Sequence, residues 1–182
     1  MDWKAVRGHL DDSEMATLQE FAQGKIYLEI GSGVGRSAIG VSDVAERVVA
    51  VDTFSPHENW QDQLDTFTTL YDFIKNVEGR KNINFFVGYS KDVVPMLKDN
   101  FFDVIFIDAN HLSEMVCIDI MVALPKLKNN GIMAFHDWGW NTPQNKGVSH
   151  AVYQFFHKVE RGGNSIAYVY KNDEYLISSI II

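Results

Sequence analysis

The chain contains the stretch Ile26-Tyr27-Leu28-Glu29-Ile30-Gly31-Ser32-Gly33-Val34-Gly35-Arg36-Ser37, in which three closely spaced glycines follow a short apolar run. A segment with helical spacing begins directly after the last glycine. Because glycine has no Cβ atom, such a turn can bend sharply and let the backbone approach a ligand closely. The stretch therefore predicts a strand, a tight turn and a helix, with the turn as a candidate ligand-binding site.

Short apolar runs like the one before the turn recur along the chain. Runs of this length, rich in Val, Ile and Phe and without polar alternation, are typical of strands buried on both faces of a parallel sheet. The predicted strands are Ile26 to Ile30, Arg47 to Asp52, Ile83 to Val87, Asp103 to Asp108 and Gly131 to Phe135.

Segments with helical spacing lie between these runs. The predicted helices are Arg36 to Glu46, Trp60 to Val77, Ser90 to Lys98 and Ser113 to Leu127. In the last of these helices, Met115, Ile118 and Val122 share one face. Strands that alternate with helices predict βαβ units and a parallel sheet.

The C-terminal part breaks this alternation. Val148 to Val159 predicts a helix, but the apolar runs Ser165 to Tyr170 and Tyr175 to Ile182 are separated by only four residues. A gap that short cannot hold a crossover helix, so these two strands are expected to pair antiparallel. The pattern predicts an α/β fold with a Rossmann-like, doubly wound sheet, mostly parallel and seven-stranded, with an antiparallel last strand.

Composition indicates one globular domain over residues 1–182, since a domain usually holds roughly 100–200 residues. Apolar residues make up 46% and charged residues 22% of the chain. The formal net charge of −8 means that most of the surface repels phosphate backbones and anionic membranes. Cys117 is the only cysteine, and no 18 apolar residues run together. We therefore expect a cytoplasmic protein that binds neither nucleic acid nor membranes.

An acidic residue ends the strand that follows the glycine turn. Asp52 lies 21 residues after Gly31, where its carboxylate can accept hydrogen bonds from both hydroxyls of a ribose. Glycine-rich turns also occur where a helix merely packs closely on a strand. The turn and Asp52 together predict a nucleotide-like ligand.

The turn resembles motif I of the class I S-adenosylmethionine-dependent methyltransferases. It has the form GxGxG, Arg36 replaces the last glycine of the dinucleotide pattern GxGxxG, and Glu29 precedes the first glycine. The resemblance extends from Tyr27 to the terminal strands, and that family also has an antiparallel last strand. It implies S-adenosylmethionine as the cofactor, with its methionine end at the turn, its ribose at Asp52 and its adenine near the third strand. The implied cofactor-binding residues are Glu29, Gly31, Ser32, Gly33, Gly35, Ser37, Asp52, Gly88, Tyr89 and Ser90.

Polar residues end two further predicted strands, which are neighbours in such a sheet. Asp108 ends the fourth strand and His136-Asp137 follows the fifth, so both open onto the crevice where doubly wound sheets bind ligands. Asp108, His136 and Asp137 are therefore predicted to converge on one divalent cation. The carboxylates favour Mg²⁺ or Ca²⁺, and the imidazole favours Mn²⁺ or Fe²⁺. The alternatives are a helix cap or a cofactor contact at Asp108 and a hydrogen-bonded loop at His136-Asp137.

This region resembles the cation-dependent O-methyltransferases, such as the catechol and caffeoyl-coenzyme A methyltransferases. It resembles more closely the bacterial methyltransferases that modify sugars and natural products. In the cation-dependent family an Asp after strand four and an Asp-Asn pair after strand five bind the metal; here the pair is His136-Asp137. The resemblance implies O-methylation of a small-molecule acceptor, with Mg²⁺ or Mn²⁺ at Asp108 and with His111, three residues after it, as the base. The alternative for His111 is a surface histidine at a helix start.

Acceptor recognition is expected from two loops that follow strand ends, Thr53 to Gln61 and Trp138 to Pro143. They contain His57, Trp60, Trp138 and Trp140, whose aromatic rings suit stacking on an aryl ring or a sugar, although they can equally pack the loops. A homodimer that completes the site is a further hypothesis.

Two other functions are compatible with the first strand–turn–helix unit. A nicotinamide-dependent oxidoreductase shares it, but Arg36 argues against that enzyme. Tyr153 also does not form a Tyr-x-x-x-Lys pair, since His157, not lysine, follows it by four residues. A non-catalytic domain that binds S-adenosylmethionine is the other alternative.

Overall fold

A computed structural model describes residues 1–55, 70–139, 146–172 and 174–177. The strands are β1 (Ile26–Ile30), β2 (Arg47–Asp52), β3 (Ile83–Val87), β4 (Phe102–Ile107), β5 (Leu127–Phe135), β6 (Glu160–Gly162) and β7 (Ile166–Tyr170). The α-helices are α1 (Asp12–Ala22), α2 (Arg36–Ser42), α3 (Leu70–Val77), α4 (Ser90–Val93), α5 (Ser113–Ala123) and α6 (Lys146–Phe155).

The strands form one seven-stranded sheet in the order β3-β2-β1-β4-β5-β7-β6. β1 pairs in parallel with β2 and β4, which places the C-terminal ends of β1, β2, β4 and β5 along one edge. β7 runs antiparallel to both β5 and β6. The predicted fold class, a mostly parallel doubly wound seven-stranded sheet in which the last strand of the described chain runs antiparallel, is confirmed.

Hydrophobic residues cover both faces of the central strands. Leu28 and Ile30 of β1 face one core cluster, while Tyr27 faces the other, and all three side chains are fully buried. Continuous apolar runs are stable there because each face is covered by helices. The sheet therefore provides a rigid platform for residues at its C-terminal edge.

The predicted pairing of the two C-terminal strands is wrong. The described residues Tyr175–Ile177 form no strand, and Leu176 makes only an isolated antiparallel bridge to Phe156; residues 178–182 lie outside the described part. β7 pairs instead with β6, across a three-residue turn in which Gly163 has a φ of +58°. The glycine lets the chain reverse within three residues. β7 therefore pairs with β6, the strand before it, and not with the apolar run that follows it.

Several predicted helices end early. α2 ends at Ser42, not Glu46, and α4 and α5 each pass into a 3-10 turn that contains a proline, Pro95 and Pro125. Proline lacks the N–H that an α-helix needs and clashes with the preceding turn. β5 then begins at Leu127, four residues before its predicted start, and β4 is shifted one residue from its prediction. Of the helix predicted from Trp60, residues 60–69 lie outside the described part.

The inward face of α5 differs from the predicted one. Val116, Asp119, Ile120 and Ala123 are buried, whereas Met115, Ile118 and Val122 are only partly buried. The helix is apolar around most of its circumference, so spacing alone does not select the inward face.

A helix that the sequence interpretation did not include precedes the sheet. α1 begins with a capping box: Asp11 Oδ1 accepts hydrogen bonds from the amides of Ser13 and Glu14 at 2.8 and 2.9 Å, and Glu14 Oε2 accepts one from the Asp11 amide at 3.0 Å. Such reciprocal bonds satisfy amides at a helix start that would otherwise lack partners. In the described part of the chain, no helix combines the length and the apolar character needed to cross a membrane.

Candidate active site

The glycine turn lies where β1 approaches β4. Gly31, Gly33 and Gly35 have φ values of +89°, +51° and +93°. A Cβ atom on Gly31 would lie 2.3 Å from the backbone oxygen of Asp108, so this position accepts only glycine. The same close approach places the turn directly beside the end of β4.

Asp52 at the end of β2 binds the backbone of the turn. Its Oδ2 accepts hydrogen bonds from the amides of Ser32 and Gly33 at 2.8 and 2.9 Å, and its Oδ1 accepts one from the amide of Phe54 at 2.7 Å. A carboxylate has about four acceptor positions, so these three bonds leave room for a ribose hydroxyl. Asp52 therefore fits the predicted ribose contact and also fixes the shape of the turn.

Glu29 and Ser37 support the turn from within the core. Both are buried, and Ser37 Oγ donates a hydrogen bond to Glu29 Oε1. Burial, together with the nearby carboxylates of Asp108 and Asp52, raises the pKa of Glu29 to about 8. Ser37, expected to face the methionine moiety, thus has its hydroxyl engaged by Glu29, and Ser32 is also largely buried.

The turn after β3 lies next to Asp52. This fits the predicted arrangement, in which the ribose lies at Asp52 and the adenine lies near the third strand. The Gly88 amide donates a hydrogen bond to the backbone oxygen of Asp52 at 2.9 Å, and Tyr89 is largely exposed. Ser90 Oγ donates to Asp119, a buried carboxyl group of α5. Burial raises the pKa of Asp119 to about 6. This residue was missing from the sequence interpretation.

Arg36, which replaces the last glycine of the dinucleotide pattern, binds the N-terminal segment. Its Nε donates to the backbone oxygen of Leu10 at 3.0 Å, and its Nη1 donates to that of Val6 at 2.6 Å. The guanidinium also lies 4.7 Å from the ring centroid of Trp3, a cation–π contact. Arg36 therefore holds the segment before α1 against the helix that begins at the glycine turn.

Two carboxylates and two histidines meet at the ends of β4 and β5. His111 Nε2 lies 3.0 Å from Asp137 Oδ2 and 3.8 Å from Asp108 Oδ1. His136 Nδ1 lies 3.1 Å from Asp108 Oδ1 and 3.3 Å from Asp137 Oδ2. The predicted convergence of Asp108, His136 and Asp137 is thus present in the geometry, and His111 joins them.

Packing fixes the backbone on both sides of this cluster. Asp137 has a φ of +55°, which turns the chain sharply after β5. A Cβ atom on Gly147 of α6 would lie 1.9 Å from the backbone oxygen of His111, so α6 presses directly on the loop that carries this histidine. α6 therefore helps to hold this loop in place.

The carboxylates and histidines shift one another's pKa values. Burial would raise the pKa of Asp108, but His136 and His111 lower it to about 2. Burial would lower the pKa of His136, but Asp108, Asp137 and Glu14 raise it well above its usual value. The pKa of His111 is raised as well, because Asp108 and Asp137 outweigh its burial.

The donor set fits a divalent cation. Within the described residues, Asp108, His111 and Asp137 each present one ligand atom, and these three atoms lie within 4.8 Å of one another. Two carboxylate oxygens and one imidazole nitrogen are ligands for Mg²⁺ or Mn²⁺. His136 lies behind this set, because both of its ring nitrogens face carboxylates.

Glu14 of α1 is the further residue that reaches this cluster. Its Oε2 lies 3.4 Å from His136 Nε2, and its side chain is almost fully buried. The Asp11-x-x-Glu14 capping box signals the start of a helix. The contact of Glu14 with His136, 122 positions away, has no signal in the sequence.

The loop aromatics are only partly described. Trp138 is buried, with its ring 5.5 Å from that of Tyr153 and the Arg161 guanidinium 5.8 Å away, so it packs the loop onto the domain. His57, Trp60 and Trp140 lie outside the described residues.

Comparison with known proteins identifies relatives of this architecture. The sequence profile of the family described as methyltransferase domain matches residues 28–138, more than half of the chain. No curated protein was found to match the chain significantly in sequence.

Solved structures share the fold at low sequence identity. Cofactor-bound Rv0187 from MTB has a TM-score of 0.68 and 16% identity, over 93% of this chain and 84% of that one. The O-methyltransferase NovP has a TM-score of 0.67 and 15% identity, over 87% and 79%. The O-methyltransferase from Bacillus cereus, in complex with S-adenosylhomocysteine, has a TM-score of 0.65 and 18% identity, over 92% and 85%.

Proposed function

The chain belongs to the class I S-adenosylmethionine-dependent methyltransferases, and we propose that it methylates a hydroxyl oxygen of a small molecule with the help of a divalent cation. The observation that carries this proposal is the cluster of Asp108, His111 and Asp137 beside the glycine turn. A cofactor bound at the turn would therefore lie next to a cation bound at the cluster. Family membership favours methyl transfer over the oxidoreductase alternative.

The cofactor would lie against the turn from Gly31 to Gly35. Asp52 would accept a ribose hydroxyl, while the turn at Gly88, Tyr89 and Ser90 would border the adenine. S-adenosylmethionine, when bound, supplies a methyl group on a sulfonium, which an oxygen nucleophile attacks in line. The protein must therefore orient the acceptor and remove its proton.

Asp108 and Asp137 would hold the cation, with His111 or His136 as a nitrogen ligand nearby. A divalent cation, when bound, lowers the pKa of a coordinated substrate hydroxyl. We assign the role of nitrogen ligand to His111 and not to His136, because both ring nitrogens of His136 already face carboxylates.

Alternatively, Asp108 and Asp137 would hold the cation without His111, and His111 would be the group that accepts the substrate proton. Its Nε2 lies 3.0 Å from Asp137 Oδ2, so Asp137 is close enough to stabilise the imidazolium that forms. An imidazole titrates near neutral pH, so it suits a general base. The two roles exclude each other for a single nitrogen, and the test below separates them.

A small-molecule acceptor is proposed because the net charge of −8 disfavours nucleic acids and anionic membranes. O-methylation is supported by the resemblance to NovP and the Bacillus cereus enzyme, both of which are O-methyltransferases. We propose to assay methyl transfer to a panel of acceptors made up of catechols, sugars and hydroxy acids.

The test measures Mn²⁺ binding by electron paramagnetic resonance in the presence of S-adenosylhomocysteine. We expect wild type to bind one Mn²⁺ and Asp137→Ala to lose it. Asp103→Asn, at the opposite end of β4, should bind normally. Unchanged Mn²⁺ affinity in Asp137→Ala, or no binding by wild type, would contradict the metal site.

The His111→Ala variant separates base from ligand. As a base, His111 contributes roughly 10²–10⁴-fold to methyl transfer, and its loss leaves Mn²⁺ affinity intact. Loss of Mn²⁺ affinity together with activity would assign His111 as a ligand instead, and unchanged transfer to every acceptor of the panel would exclude both roles.

A further inference from the structure

Glu14 brings the N-terminal helix α1 into the active-site cluster. Its Oε1 accepts hydrogen bonds from the amide and hydroxyl of Ser165 at 2.9 and 2.6 Å. Its Oε2 accepts the capping bond from Asp11 and lies 3.4 Å from His136 Nε2. Only 3% of Glu14 is exposed, so nearly all of its acceptor capacity is used inside the protein.

Close backbone packing fixes Glu14 relative to the sheet. A Cβ atom on Gly163 would lie 2.9 Å from Cα of Glu14, so the turn between β6 and β7 packs directly on the start of α1. The backbone oxygen of Ser165 accepts a hydrogen bond from the Trp138 amide at 2.9 Å, next to Asp137. The same turn therefore contacts Glu14 and the segment that carries Asp137.

His136 is the link between Glu14 and the two carboxylates. Its Nε2 faces Glu14, and its Nδ1 faces both Asp108 and Asp137. An imidazole ring held at one nitrogen cannot rotate freely at the other, so Glu14 fixes the direction of Nδ1. The two oxygens that Nδ1 faces, Asp108 Oδ1 and Asp137 Oδ2, are the same ones that lie nearest His111 Nε2, so the direction of Nδ1 fixes their position.

We infer that Glu14 is a positioning residue of the cation site, which acts through His136 to orient Asp108 and Asp137. The inference rests on the proposed function, since it concerns the same cation. It assigns to α1 a role beyond packing. Residues behind metal ligands typically contribute roughly 10–100-fold to metal affinity.

A purely structural role for Glu14 makes a different prediction, and Asp11 distinguishes the two. Asp11 caps the same helix by accepting bonds from the amides of Ser13 and Glu14, but it does not contact His136. Asp11→Ala weakens the start of α1 and leaves the Glu14 side chain in the protein. It is the matched control for Glu14→Gln, which keeps the size of the side chain and removes its charge.

The experiment measures Mn²⁺ affinity by electron paramagnetic resonance, and thermal unfolding, for wild type and both variants. We expect Glu14→Gln to weaken Mn²⁺ binding roughly 10–100-fold. Asp11→Ala should lower the melting temperature and change Mn²⁺ affinity less than about twofold, because only the helix cap is lost. Wild-type affinity in Glu14→Gln, or an equal loss in Asp11→Ala, would overturn the inference.

Two further measurements keep the inference testable. If Glu14→Gln does not fold, Ser165→Ala removes one hydrogen bond to Glu14 and should weaken Mn²⁺ binding about fivefold; unchanged affinity would overturn the inference. If wild type binds no Mn²⁺, the metal part of the proposed function fails. The inference is then decided by the ¹⁵N signals of the His136 ring, which should change in Glu14→Gln but not in Asp11→Ala. Unchanged signals in Glu14→Gln would overturn it.

Discussion

Buried carboxyl groups in this protein differ in pKa according to their partners. Asp108 lies beside two histidines, and they lower its pKa to about 2 despite its burial. Among the described residues, Asp119 has the hydroxyl of Ser90 as its hydrogen-bond partner, and burial raises its pKa to about 6. A neutral hydroxyl cannot offset the loss of hydration of a charge, whereas a nearby imidazolium can.

The raised pKa of Asp119 predicts a component of stability that depends on pH. In the unfolded chain its pKa is near 3.8, so the folded state binds the proton more tightly. The stabilisation is complete below pH 3.8 and is lost as the pH rises through about 6. A shift of this size corresponds to roughly 3 kcal/mol.

Asp119→Asn should remove this component. We expect the unfolding free energy of the wild type, minus that of the variant, to fall by up to about 3 kcal/mol between pH 4 and pH 8. Urea unfolding at several pH values measures this difference. A difference that stays constant with pH would contradict the assignment.

At the scale of elements, Arg36 connects α2 to the segment before α1. Arg36→Ala leaves the backbone oxygens of Val6 and Leu10 without their charged donor. Such a bond contributes about 1.5–3 kcal/mol, so we expect a loss of about 3 kcal/mol in unfolding free energy. Lysine should not restore it, because an ammonium cannot reproduce the fork of the guanidinium.

Urea unfolding of Arg36→Ala, Arg36→Lys and Arg47→Ala checks this prediction. Arg47 is exposed at the start of β2 and serves as the control. If Arg36→Ala were as stable as Arg47→Ala, the hydrogen bonds of Arg36 to the segment before α1 would not be needed for folding.

The sequence predicted the sheet better than the helices around it. β1, β2 and β3 have the predicted boundaries. β1 and β2 are largely buried, and a strand buried on both faces must be apolar throughout and therefore stands out as a run. β3 is also an apolar run, although most of its residues are exposed. α1 was not predicted, although its capping box is visible in the sequence. The β6–β7 hairpin was missed because three-residue strands carry little pattern.

Site residues were predicted where they end a strand, because topology alone brings Asp52, Asp108 and Asp137 to one edge of the sheet. The contact of Glu14 with His136 could not be predicted, because it depends on how α1 docks. The relative positions of His111 and His136 likewise depend on the turn at Asp137, whose left-handed backbone has no signature in this sequence.

At the scale of the molecule, the glycine turn and the carboxylate cluster lie side by side, because Gly31 packs directly on the backbone of Asp108. The N-terminal segment is tied to both parts, by Arg36 at the helix after the turn and by Glu14 at the cluster. We therefore expect one chain to supply both the glycine turn and the carboxylate cluster of the methyltransferase site. The cytoplasmic location and the homodimer stay predictions.

The most direct test is calorimetric titration of the purified protein with S-adenosylhomocysteine and, separately, with NADH. We predict that S-adenosylhomocysteine binds wild type and that NADH does not. Asp52→Ala should bind S-adenosylhomocysteine more weakly by about 1.5–3 kcal/mol, the contribution of hydrogen bonds to a charged group. Binding of NADH without binding of S-adenosylhomocysteine would contradict the account.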